Sequence, residues 1–411
     1  MSKGFKAPRG TFDVLPAQAA ARARIEDTAK AIFARAGYGR IETPAFEDTE
    51  LFERGVGRST DIVQKEMFSF EDKGGRRITL RPEGTAPICR AYVEHGMHKL
   101  AQPVKLHYSG PFFRHERPQA GRHRQFHQVG AEAIGTDSPL ADAESIALLH
   151  ELLTELGVPG VELRLGSLGS PDARREYLEE LRAHLRAREG DLSEEVRERI
   201  DANPLRAFDS DHEGTRAVME EAPTLLDRLD DADAEHFAEV RSLLDGAGIE
   251  YRLDPTLVRG LDYYTRTIFS FVCERLGAQS EVGGGGRYDG LVEQLGGPPT
   301  PAIGWAAGIE RILLSLEEED EEAHRDVFVA VADDSERRRA LALVGELRRA
   351  GFSTELDLAG RSLKGQLKQA DRLGAGRTVI LDADGAAQLR DMSSGEQRPV
   401  EPGRVLEELS G

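Results

Sequence analysis

The 411-residue sequence predicts two folded parts: an α+β domain split by a helical insertion, then a small, mostly parallel α/β domain. Three observations predict this. Runs of strand type, rich in Val, Tyr, Thr, Ile and Phe, occur on both sides of residues 171–247. The stretch between them is charged, rich in Ala, Leu, Arg and Glu, and helical by period, as in ARREYLEELRAHLRARE. Past residue 325, strand and helix patterns alternate.

In order along the chain, residues 17–36 place Ile25, Ala29, Ile32 and Phe33 on one stripe of an amphipathic helix, and Gly37 and Gly39 end it. IETPAFEDTELFERGVG reads as a strand broken by Pro44 and then a short helix. Residues 65–81 read as two strands around a turn at Asp72–Gly75. Residues 84–95 and 139–156 read as helices, and composition changes near Gly169. VRGLDYYTRTIFSFVC reads as strand, Gly283–Gly286 follow, and AIGWAAGIERILLSL reads as a strand entering a helix. The tail gives strands at DVFVAVA, STELDL and RTVILDA, with helices at SERRRALALVGELRRAG and SLKGQLKQADRLG. The expected boundaries are therefore 1–170 with 248–316, the insertion 171–247, a charged linker 317–325, and the α/β domain 326–411.

Composition excludes several classes. Apolar content of 39% supports globular folding, and no run of eighteen apolar residues could span a membrane. The start, MSKGFKAPRGTFDVLP, lacks an apolar signal core. Only Cys89 and Cys273 are present, which points to a reducing cytoplasm rather than a disulfide framework. The net charge of −19 argues against generic nucleic-acid binding but leaves room for local basic patches. Nine of the 54 basic residues are Lys; salt adaptation and a GC-rich genome both account for that bias.

The densest chemistry lies in FFRHERPQAGRHRQFHQ, residues 112–128, with Arg114, Arg117, Arg122 and Arg124 inside eleven residues. Extended runs flank a turn at Pro118–Gly121. Period two puts Arg114 and Glu116 on one face of the first run, and Phe126, Gln128 and Glu132 on one face of the second. Such a hairpin suits a ligand with a polyphosphate end and a polar end. It reads also as a solvated edge whose charges discourage strand pairing. His123 and His127 are four apart, but no Cys or acidic group completes a metal site, so none is assigned. There is no G-x-x-x-x-G-K-[ST] loop, and Gly283–Gly286 lack dinucleotide-binding spacing. Bound ATP would need cationic side chains: Arg114, Arg122, Arg259 and Arg311.

Taken together, seven ordered motifs make the chain resemble the histidyl-tRNA synthetases, class II aminoacyl-tRNA synthetases, over nearly its whole length. RGTFDVLP and TPAFEDTELFERGVG resemble the opening and the first class motif, a dimer-interface element. TLRPEGTAP resembles the amino-acid-binding loop and FRHERPQAGRHRQFHQVGAE the second motif. LVRGLDYYTRTIFSF and GGGGRYDGL resemble the two signatures of the histidine enzymes. AIGWAAGIERILL resembles the third motif, and the tail, with LRDMSSGEQ, the anticodon-binding domain.

The resemblance implies an α+β catalytic domain on an antiparallel sheet of six or more strands, with a C-terminal α/β anticodon-binding domain. It implies ATP with Mg2+, L-histidine and histidine tRNA as partners, and a homodimer. It implies that Glu132 accepts from one imidazole nitrogen and Tyr264 donates to the other, which meets the one donor and one acceptor of a neutral ring. Glu83, Thr85 and Gln128 would hold the α-amino group; apart from its motif, Glu83 reads as a solvated loop carboxylate. Arg114 would grip the α-phosphate, with Glu116 following on the same face. Arg122 and Arg311 would hold the outer phosphates. Arg259 would sit near the carboxylate and α-phosphate and offset charge in the transition state.

Tyr263 would line the histidine pocket. Strict alternation puts Tyr263 and Tyr264 on opposite faces, so either the run is irregular at Gly260 or the two serve different walls. Phe126 would stack on adenine, or is a half-buried strand aromatic. Arg117 and Gln119 would meet the tRNA acceptor end, Gln119 by base readout. Two residues depart from the family pattern. Ala120 stands where a basic residue is usual. Trp305 either narrows the adenine wall or repacks the core. Two rival readings are a regulatory paralogue that partners ATP phosphoribosyltransferase and a tRNA-independent amino-acid:ATP ligase. The retained Glu83, Arg114, Arg259 and Arg311 and the α/β tail speak against the first. The tail and the Arg117–Gln119 loop speak against the second.

Overall fold

Helix α1 (Pro16–Arg35) forms where the sequence places its stripe, and Ile25, Ala29, Ile32 and Phe33 are its buried residues. Gly37 ends it at φ +76°, a left-handed position that lets Tyr38 N–H return to the Phe33 carbonyl at 2.9 Å. The structure, a computed structural model, describes residues 4–58, 60–277, 280–316, 325–383 and 385–410. Two compact units result: Met1–Asp13 with Arg22–Glu317, and Val14–Ala21 with Glu318–Gly411. The expected linker 317–325 lies, but for Arg325, outside the described residues.

In the first unit, β1 (Gly39–Arg40) precedes β2 (Phe46–Asp48) and α2 (Thr49–Gly55). Then come β3 (Phe68–Glu71), β4 (Arg77–Leu80) and α3 (Thr85–Glu94). The second, third and fourth strands form a small sheet of their own in the order β2-β4-β3. β5 (Val104–Phe113) and β6 (Gln125–Ile134) pair along their whole length, from Val104 opposite Ile134 to Phe113 opposite Gln125. α4 (Pro139–Glu155) starts at a Ser138 cap, and β7 (Val161–Ser167) returns to the sheet.

The helical stretch carries α5 (Pro171–Ala187), α6 (Glu194–Arg199), α7 (Glu213–Glu220) and α8 (Asp231–Gly246). Its members go to different cores. Tyr177, Leu181 and Leu185 of α5 join a cluster with Tyr263, Tyr264 and Tyr288. Phe237, Val240 and Leu244 of α8 instead join the core that contains α1 and α4. β8 (Arg252–Leu253), β9 (Thr265–Cys273), β10 (Glu281–Arg287), α9 (Leu291–Gln294), β11 (Ala302–Gly308) and α10 (Ile309–Ser315) complete the unit.

The main sheet runs β1-β5-β6-β11-β10-β9-β7-β8. Its six central strands are antiparallel throughout, and two-residue parallel strands close its edges. Alternation along each strand gives it two faces. One is covered by α1, α4 and α8. Trp305 belongs to that side, its ring 5.6 Å from Phe33, so its indole repacks the core.

In the second unit, β12 (Arg325–Val331), α11 (Arg337–Arg349), β13 (Thr354–Leu356), α12 (Leu363–Arg372) and β14 (Ala375–Leu381) follow the expected alternation. β15 (Ala387–Asp391), β16 (Gln397–Val400) and α13 (Val405–Ser410) end the chain. The sheet order is β13-β12-β14-β15-β16. β12 pairs in parallel with β13 and β14, but β14-β15-β16 is antiparallel. The mostly parallel expectation is thus corrected to a mixed sheet. Asp391 makes the reversal: its Oδ1 accepts from the Ser393 and Ser394 N–H groups at 3.0 and 2.9 Å.

The end of β10 is tied to α4 by a buried ion pair. Arg287 is 0% exposed, and its Nη2 and Nε lie 2.6 and 3.0 Å from the Asp142 carboxylate. His236 Nε2 sits 2.8 Å from the same carboxylate. Removing one member leaves the other charge buried and uncompensated. Asp142→Ala is expected to lower the unfolding free energy by about 3–5 kcal/mol, read by urea titration; a loss below about 1 kcal/mol, the worth of a surface pair, would contradict the buried-pair account.

Candidate active site

On the opposite face of the sheet lies a cleft of about 770 Å³, a volume within the range of small-molecule sites. Among its lining residues are Arg114, Glu116, Arg122, Phe126 and Gln128 from the β5–β6 hairpin. Glu83 and Thr85 enter from the start of α3, Arg259, Tyr263 and Tyr264 from the chain before β9, and Arg311 from α10. The structure thus gathers residues more than two hundred positions apart. Arg117 and Gln119 are exposed on the hairpin turn, where Gln119 and Arg122 exchange backbone hydrogen bonds.

Arg114 Nε donates to the Pro82 carbonyl at 2.9 Å, and its guanidinium stands 5.4 Å from the Phe126 ring centre. Glu116 bridges the hairpin cations, 3.9 Å from Arg114 and 3.1 Å from Arg122. β5 ends at Phe113, so Arg114 and Glu116 share this wall from irregular chain rather than from one strand face.

Beside Pro82, Glu83 caps α3. Its carboxylate accepts from the Thr85 and Ala86 N–H groups at 2.7 and 3.0 Å. Burial pushes its pKa up, and those two backbone bonds oppose the shift. Thr85 Oγ1 donates to Glu132 Oε1 at 2.9 Å, and the Tyr288 hydroxyl donates to Oε2 at 2.5 Å. Gln128 Oε1 is buried without a hydrogen-bond partner among the described residues, an acceptor left for a ligand.

A family model described as Histidyl-tRNA synthetase matches residues 10–312, and one described as Anticodon binding domain matches residues 326–411. The chain belongs to the histidyl-tRNA synthetase family. It is 47% identical over 412 residues to the histidine–tRNA ligase of Halothermothrix orenii, covering 98% of each chain. It is 48% identical to that of Rubrobacter xylanophilus, covering 97% of each. The crystal structure of apo S. aureus histidyl-tRNA synthetase superposes with a TM-score of 0.82 at 35% identity, covering 99% of this chain and 100% of that one.

Several expectations for this histidyl-tRNA synthetase fold change in detail. VRGLDYY is not strand: β9 begins only at Thr265. The irregular chain before it lets Arg259, Tyr263 and Tyr264 all reach the cleft, which strict alternation forbids. Glu132 does not line the cleft. It lies one layer behind, 1% exposed, so close to Gly304 that a Cβ there would stand 1.6 Å from its Oε2.

The Gly283–Gly286 run serves protein side chains as well as the cleft. A Cβ at Gly284 would meet Arg259 Nη2 at 1.9 Å, and one at Gly286 would meet Tyr264 at 3.0 Å. Three residues escaped the sequence reading. Tyr288, part of the GGGGRYDGL signature but given no role there, holds Glu132. Glu281 binds Arg259, with Nη1–Oε distances of 2.7 and 2.8 Å. Glu310 accepts from His127 N–H at 3.0 Å. Glu310 is an acid inside the third motif, while Glu281 lies between the two histidine signatures and carries no local signal.

Burial pushes the Glu132 pKa up to about 8; the hydroxyls of Tyr288 and Thr85 oppose the shift and Glu83 adds to it. Burial also pushes Tyr264 up to about 12, so its hydroxyl stays a donor at neutral pH. Between the ordinary carboxyl value and about 8, folded Glu132 keeps a proton that the unfolded chain releases. The unfolded state then binds fewer protons, and stability falls as pH rises through this window. Glu132→Gln, which cannot lose a proton, is expected to gain on the unmodified chain progressively from pH 5 to pH 8, measured by urea unfolding in parallel. Parallel curves at every pH would mean that Glu132 stays ionised.

Proposed function

We propose that this chain activates L-histidine with MgATP and transfers it to the 3′ end of histidine tRNA. A histidine carboxylate oxygen attacks the α-phosphorus, histidyl-adenylate forms and pyrophosphate leaves. A ribose hydroxyl at the tRNA end then attacks the acyl carbon, and AMP leaves. The observation that carries this reading is the cleft itself, which four arginines line together with a buried carboxylate and two tyrosines.

In this reading Arg114 takes the α-phosphate and Phe126 the adenine, while Arg122 and Arg311 take the outer phosphates. Glu116 adjoins the phosphates beside Arg114 and Arg122. Arg259 faces the reacting phosphorus, where a fixed cation in a dry site offsets developing charge. Glu83, Thr85 and the unpartnered Gln128 carbonyl receive the α-ammonium group. Tyr264 donates to the imidazole, Glu132 backs that pocket by holding the Thr85 and Tyr288 hydroxyls, and Tyr263 lines the wall. Magnesium enters as part of the nucleotide, held through phosphates and water. Exposed Arg117 and Gln119 meet the acceptor end, and the second unit takes the anticodon. No described helix is long and apolar enough to cross a membrane; we place the chain in the cytoplasm from its two buried free cysteines. A regulatory-paralogue reading is not favoured, because the catalytic cations and the anticodon unit are both present.

ATP–pyrophosphate exchange assayed with each of the twenty amino acids is expected to respond to histidine alone. No histidine response above the others would sink the assignment.

A homodimer belongs to the same proposal. On the β2-β4-β3 sheet, Phe46, Leu80 and Phe68 form one row and Asp48, Ile78 and Phe70 the next on the same face. Phe46 and Phe70 are 52% and 49% exposed, an apolar face that a second copy would bury. Sedimentation velocity is expected to show a dimer that Phe46→Asp with Phe70→Asp converts to monomer. A dimer untouched by the double substitution would move the interface elsewhere.

A further inference from the structure

Arg259 is held more firmly than a side chain waiting for a ligand needs to be. Its Nη1 donates to both Glu281 oxygens at 2.7 and 2.8 Å. Its Nη2 donates to the Phe269 carbonyl at 2.5 Å. The guanidinium lies over Gly284, where any side chain would displace it. Only 10% of the Arg259 side chain is exposed, against 47% for Glu281. One nitrogen is left over: Arg259 Nε is buried and has no hydrogen-bond partner among the described residues.

Glu281 stands where it can do this because β10 is irregular there. The β9–β10 register shifts between Glu281 and Gly283, so Val272 faces Glu281 and Phe271 faces Gly283. A bulge of this kind turns a strand-end side chain away from its regular direction. The same residue also serves Arg311, whose Nε donates to the Glu281 backbone carbonyl. Residue 281 therefore ties two arginines of the cleft, one by its side chain and one by its main chain.

We propose that Glu281 is the positioning residue of Arg259: with the Phe269 carbonyl it fixes the guanidinium where it borders the cleft. This rests on the role given to Arg259 above. Fixing matters because an unrestrained arginine must be ordered in the transition state, and that cost appears in the rate rather than in ground-state binding. The acceptor, not the shape of the residue, is what the position requires. Glutamine keeps one oxygen facing Nη1, and alanine keeps none.

The test is ATP–pyrophosphate exchange by the full chain, with kcat and KM for ATP measured separately for Glu281→Ala, Glu281→Gln, Arg259→Ala and the Arg259→Ala/Glu281→Ala pair. Thermal unfolding of each checks that the variants fold. Arg259→Ala is expected to lower kcat by about 10²–10³. Glu281→Ala is expected to lower kcat by about 10–100-fold with little change in KM, and Glu281→Gln to recover most of that loss. The pair is expected to be no slower than Arg259→Ala alone, because residues that act as a unit are not additive. The proposal is overturned if Glu281→Ala turns over at the unmodified rate, or binds ATP more tightly at unchanged kcat. It is overturned also if the two losses multiply in the pair, or if glutamine fares no better than alanine. A fully active Arg259→Ala would overturn the underlying role of Arg259 itself, which separates the two failures.

Discussion

The site depends on the absence of side chains along one strip of the main sheet. Glu132, Arg259, Tyr264 and Tyr108 each lie flat on a glycine. A Cβ would stand 1.6 Å from Glu132 at Gly304, 1.9 Å from Arg259 at Gly284, 3.0 Å from Tyr264 at Gly286 and 2.4 Å from Tyr108 at Gly130. Three adjacent strands, β6, β11 and β10, contribute these glycines, and Glu132 and Gly304 are paired in register. Large polar groups can therefore rest against backbone, deep enough for burial to push the Glu132, Tyr264 and Tyr108 pKa values up. Glycine in a strand weakens it. The opposite face compensates, where Val129, Ile303, Trp305 and Ala307 pack into the core beneath α1 and α4.

The same floor reconciles a chain of net charge −19 with an anionic substrate. What a phosphate meets is the local arrangement, not the sum. Arg114, Arg122, Arg259 and Arg311 reach one cleft, and each acid beside them is already engaged. Glu116 lies between Arg114 and Arg122, Glu281 holds Arg259, and Glu310 accepts from His127. Glu83 is turned onto the start of α3. Elsewhere the acids pair with surface arginines, as Glu180 does with Arg228 and Glu151 with Arg35. Such pairs contribute little to stability.

How much of this was legible follows from the range of the interaction involved. Local periodicity found α1, α3, α4 and the β5–β6 hairpin, because each is specified within about a dozen residues. Motif resemblance brought Glu83, Arg114, Gln128, Arg259 and Arg311 to one site, and the fold gathers them. What escaped is set by contacts across the sheet. VRGLDYY has strand composition but runs irregularly, since its tyrosines must turn onto Gly286 and into the cleft. Glu281 looks like any strand-end acid until the bulge brings it to Arg259. The β15–β16 hairpin has too few apolar residues to register as strands; Asp391 and its serines specify it instead. Trp305 was ambiguous because one residue of phase decides whether an indole faces nucleotide or core, and only the pairing of β11 with β6 fixes that phase.

Two arginines of the GGGGR segment's surroundings show how place separates structure from chemistry. A guanidinium has five N–H groups. Arg287 donates from Nε to Asp142, from Nη1 to the Thr136 carbonyl and Asp289, and from Nη2 to the Ser138 carbonyl, with Asp142 Oδ1 2.6 Å away. Every nitrogen is engaged and none of the side chain is exposed, so it has nothing to offer a ligand. Arg259 is nearly as buried, is equally tied to a carboxylate, and sits across the same strand. Yet its Nε lacks an acceptor among the described residues. A buried donor left unmade costs free energy. The chain tolerates that cost at Arg259, as it does at Arg90 and Arg174, but not at the arginine that locks β10 to α4. Residue type, charge and motif membership fail to distinguish the two; place does, since Arg259 lines the cleft with a tenth of its side chain exposed and Arg287 is shut away from it.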